Sequence, residues 1–260
     1  MGRNLFLSCL PAVLFLVCGC SVKEDRELCP CRIVLDFSET DVSLSEPLDV
    51  RITDGKGFFF MDMVGADEFD REYVVEVPRG TVCIDIYSAA EGFLQEMAGL
   101  VIPPGKDCPP VYACSMVLRT EGREEVREIV RMRKNYCRME VYVEDEGGFP
   151  YGLRVVGSVD GYEAAGKPST GLFSYMMPTR DDGVFVVNLP RQKDSSLVLE
   201  VDDGAGVLKT FALGEYVVAS GYDWTAADLD DITVGIDYAA THLSLTIDGW
   251  DKEYIFEVVI

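Results

Sequence analysis

The chain has 260 residues, of which 48% are hydrophobic and 26% charged, and its formal net charge is −22. That length suits one large domain or two small ones, and the composition is globular rather than disordered. So acidic a surface repels nucleic acid and anionic lipid, which excludes a basic nucleic-acid groove. The single histidine, His242, rules out a His-based triad or a two-His metal centre within one chain.

Residues 1–19 carry one charge, Arg3, and then a mostly apolar run from Leu5 to Val17. The run is too short to span a bilayer comfortably, contains Pro11 and ends in small residues before a cysteine, so it reads as a signal peptide. Val17-Cys18-Gly19-Cys20 has the form of a bacterial lipobox, which makes Cys20 the first residue of the mature protein and the point of lipid attachment. A covalent lipid on Cys20 is the only cofactor expected. Each buried methylene contributes ~0.8 kcal/mol, so two or three acyl chains would hold the protein permanently in a membrane. Lys23, Glu24 and Asp25 form a charged tether, and a lysine followed by two acids at this place resembles the surface-export signal of Bacteroidetes lipoproteins.

Two of the nine cysteines, Cys9 and Cys18, fall in the signal, and Cys20 takes the lipid. Six remain: Cys29, Cys31, Cys83, Cys108, Cys114 and Cys137. An even number in an exported protein points first to disulfides, with fifteen possible connectivities, and second to buried thiols. Metal ranks last, because Cys29-Pro30-Cys31 and Cys108…Cys114 lack zinc-knuckle spacing.

From Ile33 the apolar residues recur with period two. Ile33–Phe37, Leu48–Thr53, Tyr73–Val77 and Val82–Tyr87 read as strands, and Pro78-Arg79-Gly80 as a turn. Phe58-Phe59-Phe60 reads as a buried strand, and Leu94–Leu100 as one or two helical turns. The prolines between Val101 and Pro110 mark a loop or an edge segment. Tyr112–Leu118 is strand-like. Glu121–Lys134 suits either an amphipathic helix or a strand, and the domain junction falls at or just after it. Met139–Glu144, Leu153–Val159, Gly183–Leu189, Leu197–Val201, Leu208–Leu213, Ile232–Tyr238, Leu243–Ile247 and Tyr254–Ile260 continue the strand pattern. About fourteen runs predict an all-β chain of two tandem antiparallel sandwiches, each sheet with one wet face. The expected divisions are a signal at 1–19, a lipidated tether at 20–32, a first domain at 33–134 and a second at 135–260. No sequence repeat links the halves.

No nucleotide or nucleophile motif is present: Gly204-Ala205-Gly206 lacks a third glycine and a following helix. Asp181-Asp182, Asp202-Asp203 and Asp230-Asp231 sit beside turns without the spacing of a calcium loop. Adjacent turn carboxylates do not face each other across a cleft, so they are not an acid–base pair. Trp224 and Trp250 suit buried sandwich ends, or, as the alternative, stacking platforms of a surface glycan- or ligand-binding lipoprotein.

Taken in order, several motifs resemble the FimB-type fimbrial anchor lipoproteins of Bacteroidales, minor components of type V fimbriae. They are the lipobox with Lys23-Glu24-Asp25-Arg26; Cys29-Pro30-Cys31 leading into Ile33-Val34-Leu35-Asp36-Phe37; Cys108-Pro109-Pro110; Arg133-Lys134-Asn135-Tyr136-Cys137; Gly221-Tyr222-Asp223-Trp224; and Ile247-Asp248-Gly249-Trp250. The resemblance implies two transthyretin-like β-sandwiches, no enzymatic activity, and a lipid-anchored position in the outer membrane facing the exterior. It implies attachment of a fimbrial shaft subunit and limitation of shaft length. It also favours a strand over Val126–Arg133. Subunits of such shafts join by strand donation, which makes Tyr254, Ile255, Phe256, Val258 and Ile260 donor-strand candidates, with pairing inside their own domain as the alternative. Shaft subunits mature by cleavage after an arginine, so an anchor must protect Arg26 and Arg32, with a disulfide at Cys29–Cys31 one means of doing so.

Overall fold

The computed structural model describes residues 29–40, 47–69, 72–88, 90–96, 99–144, 149–178, 183–237, 242–248 and 253–257. The signal, Cys20, Lys23–Asp25, Arg26, Trp250, Val258 and Ile260 lie outside the described residues. The first half forms β1 (Cys31–Asp36), β2 (Leu48–Thr53), β3 (Phe59–Val64), β4 (Tyr73–Val77), β5 (Thr81–Tyr87), β6 (Leu94–Glu96), β7 (Gly99–Val101), β8 (Tyr112–Arg119), β9 (Glu125–Ile129) and β10 (Arg133–Lys134). A sheet ordered β4-β1-β9 packs on one ordered β10-β8-β5-β2-β3. Between them lie Ile33, Leu35, Phe37, Val50, Ile52, Ile84 and Val126, the inward-pointing alternate positions of their strands.

The second half forms β11 (Tyr136–Glu144), β12 (Gly152–Gly157), β13 (Gly161–Glu163), β14 (Lys167–Pro168), β15 (Phe173–Met177), β16 (Phe185–Pro190), β17 (Val198–Asp202), β18 (Val207–Phe211), helix α1 (Leu213–Ala219), β19 (Ile232–Asp237), β20 (His242–Ile247) and β21 (Glu253–Glu257). Here the sheets are β16-β11-β19-β20-β21 and β15-β12-β17-β18. The chain is therefore all-β, two sandwiches in tandem, as its alternation predicts.

The halves repeat one topology that the sequence does not reveal. In each, the first strand lies between an antiparallel neighbour (β4 or β16) and a parallel one (β9 or β19). Both parallel pairs join residues 93 positions apart, Arg32 with Glu125 and Met139 with Ile232. The sheets are thus mixed, where simple alternation suggests antiparallel ones. The halves differ at one edge: β19 is covered by β20 and β21, whereas β9 ends its sheet.

A fifth sheet, β14-β13-β7-β6, takes two strands from each half. It covers the outer face of β2 and β5, so Asp49, Arg51 and Asp85 are buried rather than wet. The expected helical turns at Leu94–Leu100 are β6 and β7, because pairing with β13 overrides local propensity. Glu121–Lys134 contains strands β9 and β10, not a helix. Phe58-Phe59-Phe60 enters the edge strand β3: Phe58 and Phe60 pack against the first core, but Phe59, Met61 and Met63 are exposed, so the buried-strand expectation is met only in part.

The bridging sheet requires close approach of two backbones. A Cβ at Gly99 would stand 2.6 Å from the Tyr162 carbonyl oxygen, and one at Gly161 would collide with the Leu100 carbonyl oxygen. Gly161→Ala is expected to destabilise the protein by ~1–3 kcal/mol in chemical denaturation and to open residues 94–101 to proteolysis. Gly206→Ala, where a Cβ meets nothing within 4 Å, should stay within ~0.5 kcal/mol of wild type.

Candidate functional site

Where the bridging sheet meets the first sandwich, β2 and β5 put charged groups under cover. Arg51 and Asp49 lie two residues apart on one face of β2 and form a fork, Nε to Oδ1 at 2.9 Å and Nη2 to Oδ2 at 3.1 Å. Their side chains are 4% and 7% exposed. The other guanidinium nitrogen of Arg51 donates to the Gly99 carbonyl on β7 at 2.7 Å, and the Tyr87 ring lies under it at 5.9 Å.

Across from Arg51, Asp85 Oδ2 accepts the Ala165 N–H at 2.9 Å. Ala165 and Gly166 both have φ of 63°, and for alanine that left-handed conformation is uncommon and costly. The turn is held there by Asp85. Asp85 Oδ1 and the Tyr87 hydroxyl have no hydrogen-bond partner among the described residues. Burial pushes the Asp85 carboxyl up, partly offset by Ser115, the Ala165 and Gly166 amides and Arg51. Beside this cluster a cleft of about 810 Å³ opens between Gly99, Val101, Asp160, Glu163, Lys167 and Thr170.

Strand edges are the other candidate surfaces. The β9 edge is guarded by charge: Arg127 pairs with Glu72 at 2.8 Å, and Arg32 with Glu125 at 3.4 Å. The β3 edge carries only Asp62 among Phe59, Met61 and Met63. At the far end of the second sandwich, β21 pairs antiparallel with β20 from Tyr254↔Leu245 to Glu257↔His242. Tyr254, Ile255 and Phe256 therefore pair within their own chain; Ile255 points outward, and Phe256 stacks on Tyr216 at 4.8 Å. His242 is an exposed first residue of β20.

All six cysteines are free thiols, so the disulfide expectation is not met. Cys83 lies opposite Val117 and Cys114 opposite Ile86, which puts the two cysteines on opposite faces of one sheet, where no bridge can form. Cys31 is buried in the first core, and Cys108 and Cys137 in the second. Cys108 Sγ lies 3.9 Å from the Tyr162 hydroxyl. Burial raises both of these thiols, Cys137 to about 12, which leaves them unreactive. Cys29 is held through its carbonyl by Arg79 Nε at 2.8 Å. Trp224 is 8% exposed and packs edge-on to Tyr222 at 4.6 Å, so it is no stacking platform. No cluster of metal-ligating side chains occurs among the described residues. The buried fork and the latch on Ala165 had no distinct sequence signal, since Asp49, Arg51 and Asp85 read as the polar phase of ordinary strands.

No protein-family model matches the sequence, and no curated protein matches it. Solved structures do share its fold. The fimbrial anchor protein Mfa2 of Porphyromonas gingivalis superposes with a TM-score of 0.62 at 12% identity, over 85% of this chain and 98% of that one. A proposed polysaccharide-binding protein of Bacteroides thetaiotaomicron gives 0.59 at 11% identity, over 88% and 98%. A proposed adhesin of Bacteroides ovatus gives 0.57 at 9%, over 88% and 96%. At these identities the likeness is one of fold, and it is the fold that the motif resemblance implies.

The junction yields a pH test. Because the folded Asp85 pKa is raised, its contribution to stability is full below the unfolded value of ~4 and is lost as pH rises through the folded value. Asp85→Asn should therefore gain on wild type in thermal unfolding as pH goes from 4 to 7. Asp85→Ala, which strands the Ala165 N–H, should cost ~1–3 kcal/mol at every pH.

Proposed function

We propose that this protein is a fimbrial anchor: a lipoprotein held in the outer membrane through Cys20, facing the cell exterior, that attaches a fimbrial shaft and limits its length through a shaft subunit. The reading is structural and non-catalytic. The observation that carries it is the two-sandwich fold, common to nearly the whole of the Mfa2 anchor at a TM-score of 0.62. The lipobox and Lys23-Glu24-Asp25 supply the membrane end. For the contact with the shaft, support comes from β21, which among the described residues is paired on one side only and presents Ile255 outward. An edge strand held by one neighbour needs to break only one ladder to be donated elsewhere.

The anchor must keep its tether whole. Arg32 is the second residue of β1 and pairs with Glu76 on one side and Glu125 on the other. An arginine-specific protease needs an extended, unpaired substrate, so strand pairing can protect this bond without a disulfide. Protein recovered from cells should begin at a lipidated Cys20 by mass spectrometry, and loss of residues 20–32 would refute the anchor reading. Deleting residues 254–260 should shed fimbriae into the medium or lengthen them; fimbriae of unchanged length and attachment would rule out strand donation by this segment. A second reading, a surface glycan-binding lipoprotein, draws on the description of the Bacteroides thetaiotaomicron protein, but Trp224 is too buried to serve it.

A further inference from the structure

The chain carries a net charge of −22, yet one cleft of about 400 Å³ is lined by Arg131, Arg133 and Arg191 and by no carboxylate among the described residues. It lies where β8 and β10 of the first sandwich face the 164–166 turn and the 225–227 loop of the second. Asn135, Ser115 and Thr225 also line it, and the remaining lining residues are small.

The three guanidiniums are not equivalent. Arg131 pairs with Glu39 at 2.6 and 3.1 Å, and Arg133 with Asp228 at 3.1 Å. Neither acid lines the cleft, and both arginine side chains are half-exposed. Arg191 is bonded to neutral oxygens. Its Nε donates to Asn135 Oδ1 at 2.6 Å, one terminal nitrogen to the carbonyls of Trp224 and of Ala226 (2.8 Å), and the other to Ala227 at 3.4 Å. Those bonds occupy four of its five N–H groups and fix the plane of the guanidinium; Asp223 and Asp228 act on its charge from outside the cleft and make no hydrogen bond to it. A half-buried cation held rigid, with two further guanidiniums beside it, is preorganised for an oxyanion. The volume lies within the range of small-molecule sites, ~300–1,000 Å³.

We propose that this cleft binds a carboxylate or sulfate group carried on a monosaccharide-sized body, with Arg131, Arg133 and Arg191 taking the oxyanion and Asn135, Ser115 and Thr225 facing the hydroxyls. This goes beyond attachment to a shaft: it gives the joint between the sandwiches a ligand of its own. Uronic and sulfated sugars share the chemistry, and titration calorimetry on the full chain separates them. The probes are glucuronate, glucose 6-sulfate, inorganic sulfate and glucose at constant ionic strength. Saturable binding of glucuronate or glucose 6-sulfate, with none of glucose, is the expected result, and the acid that binds names the source. The R131Q/R133Q variant should weaken binding at least tenfold while its melting temperature stays near wild type. If that variant does not fold, single R133Q should weaken binding severalfold. Absence of saturable binding, or unchanged affinity in a folded arginine variant, overturns the proposal. Inorganic sulfate binding as tightly as the sugar acids overturns the sugar-sized ligand.

Discussion

The fork of Arg51 on Asp49, with its third bond to the Gly99 carbonyl, is the contact on which the arrangement of the two sandwiches depends. A buried ion pair adds little net stability, because desolvation offsets its attraction, but losing one partner leaves a bare charge at a cost of ~3–5 kcal/mol. Its effect is therefore on geometry. With Arg51 tied at both ends, β7 has one position over β2, and β7 carries β13 and the 164–166 turn with it. The Asp85 bond to Ala165 closes the same joint from the neighbouring strand. Apolar groups complete it: Tyr87, Phe93, Leu100 and Val111, all from the first half of the sequence, belong to the second core. A joint built in this way ties the two sandwiches together by polar and apolar contacts at once.

Within that frame the two halves are versions of one topology finished differently. The second closes its mixed sheet with β20 and β21, whereas the first leaves β9 at the edge and defends it with ion pairs. Exposed edges invite foreign strands, and charge is the usual deterrent. By that measure β3 is the least defended edge of the first sandwich, with one aspartate among its outward aromatic and methionine side chains.

Most strands were legible in the sequence because burial on one face leaves a period-two record: Met139, Val141, Ile232, Val234, Leu243 and Leu245 all point into the core as that pattern requires. What could not be read was set by tertiary pairing. The bridging strands are two or three residues long, too short to show a period, and two of them rest on glycines chosen for close approach. Asp49, Arg51 and Asp85 occupied the polar phase and looked solvent-facing, because alternation reports one covered face and cannot announce a second layer. The seven-residue helix α1 follows a strand directly and buries only Leu213, Gly214 and Val217, too few positions to declare a helical period. The even count of cysteines was compatible with bridges, but all six are free thiols, and Cys83 and Cys114 lie on opposite faces of one sheet.

The parallel pairs at the centre of each sandwich also govern the order in which the chain can become a folded object. Each first strand must wait for a segment 93 residues later before its sheet is complete, so a long loop closes before that strand is fully packed. The segment from Tyr87 to Ala113, moreover, finds its apolar partners only after the second core has assembled. A chain folding from its amino terminus would therefore leave one side of β1 open until Glu125–Ile129 arrives, and one side of β11 open until β19 arrives.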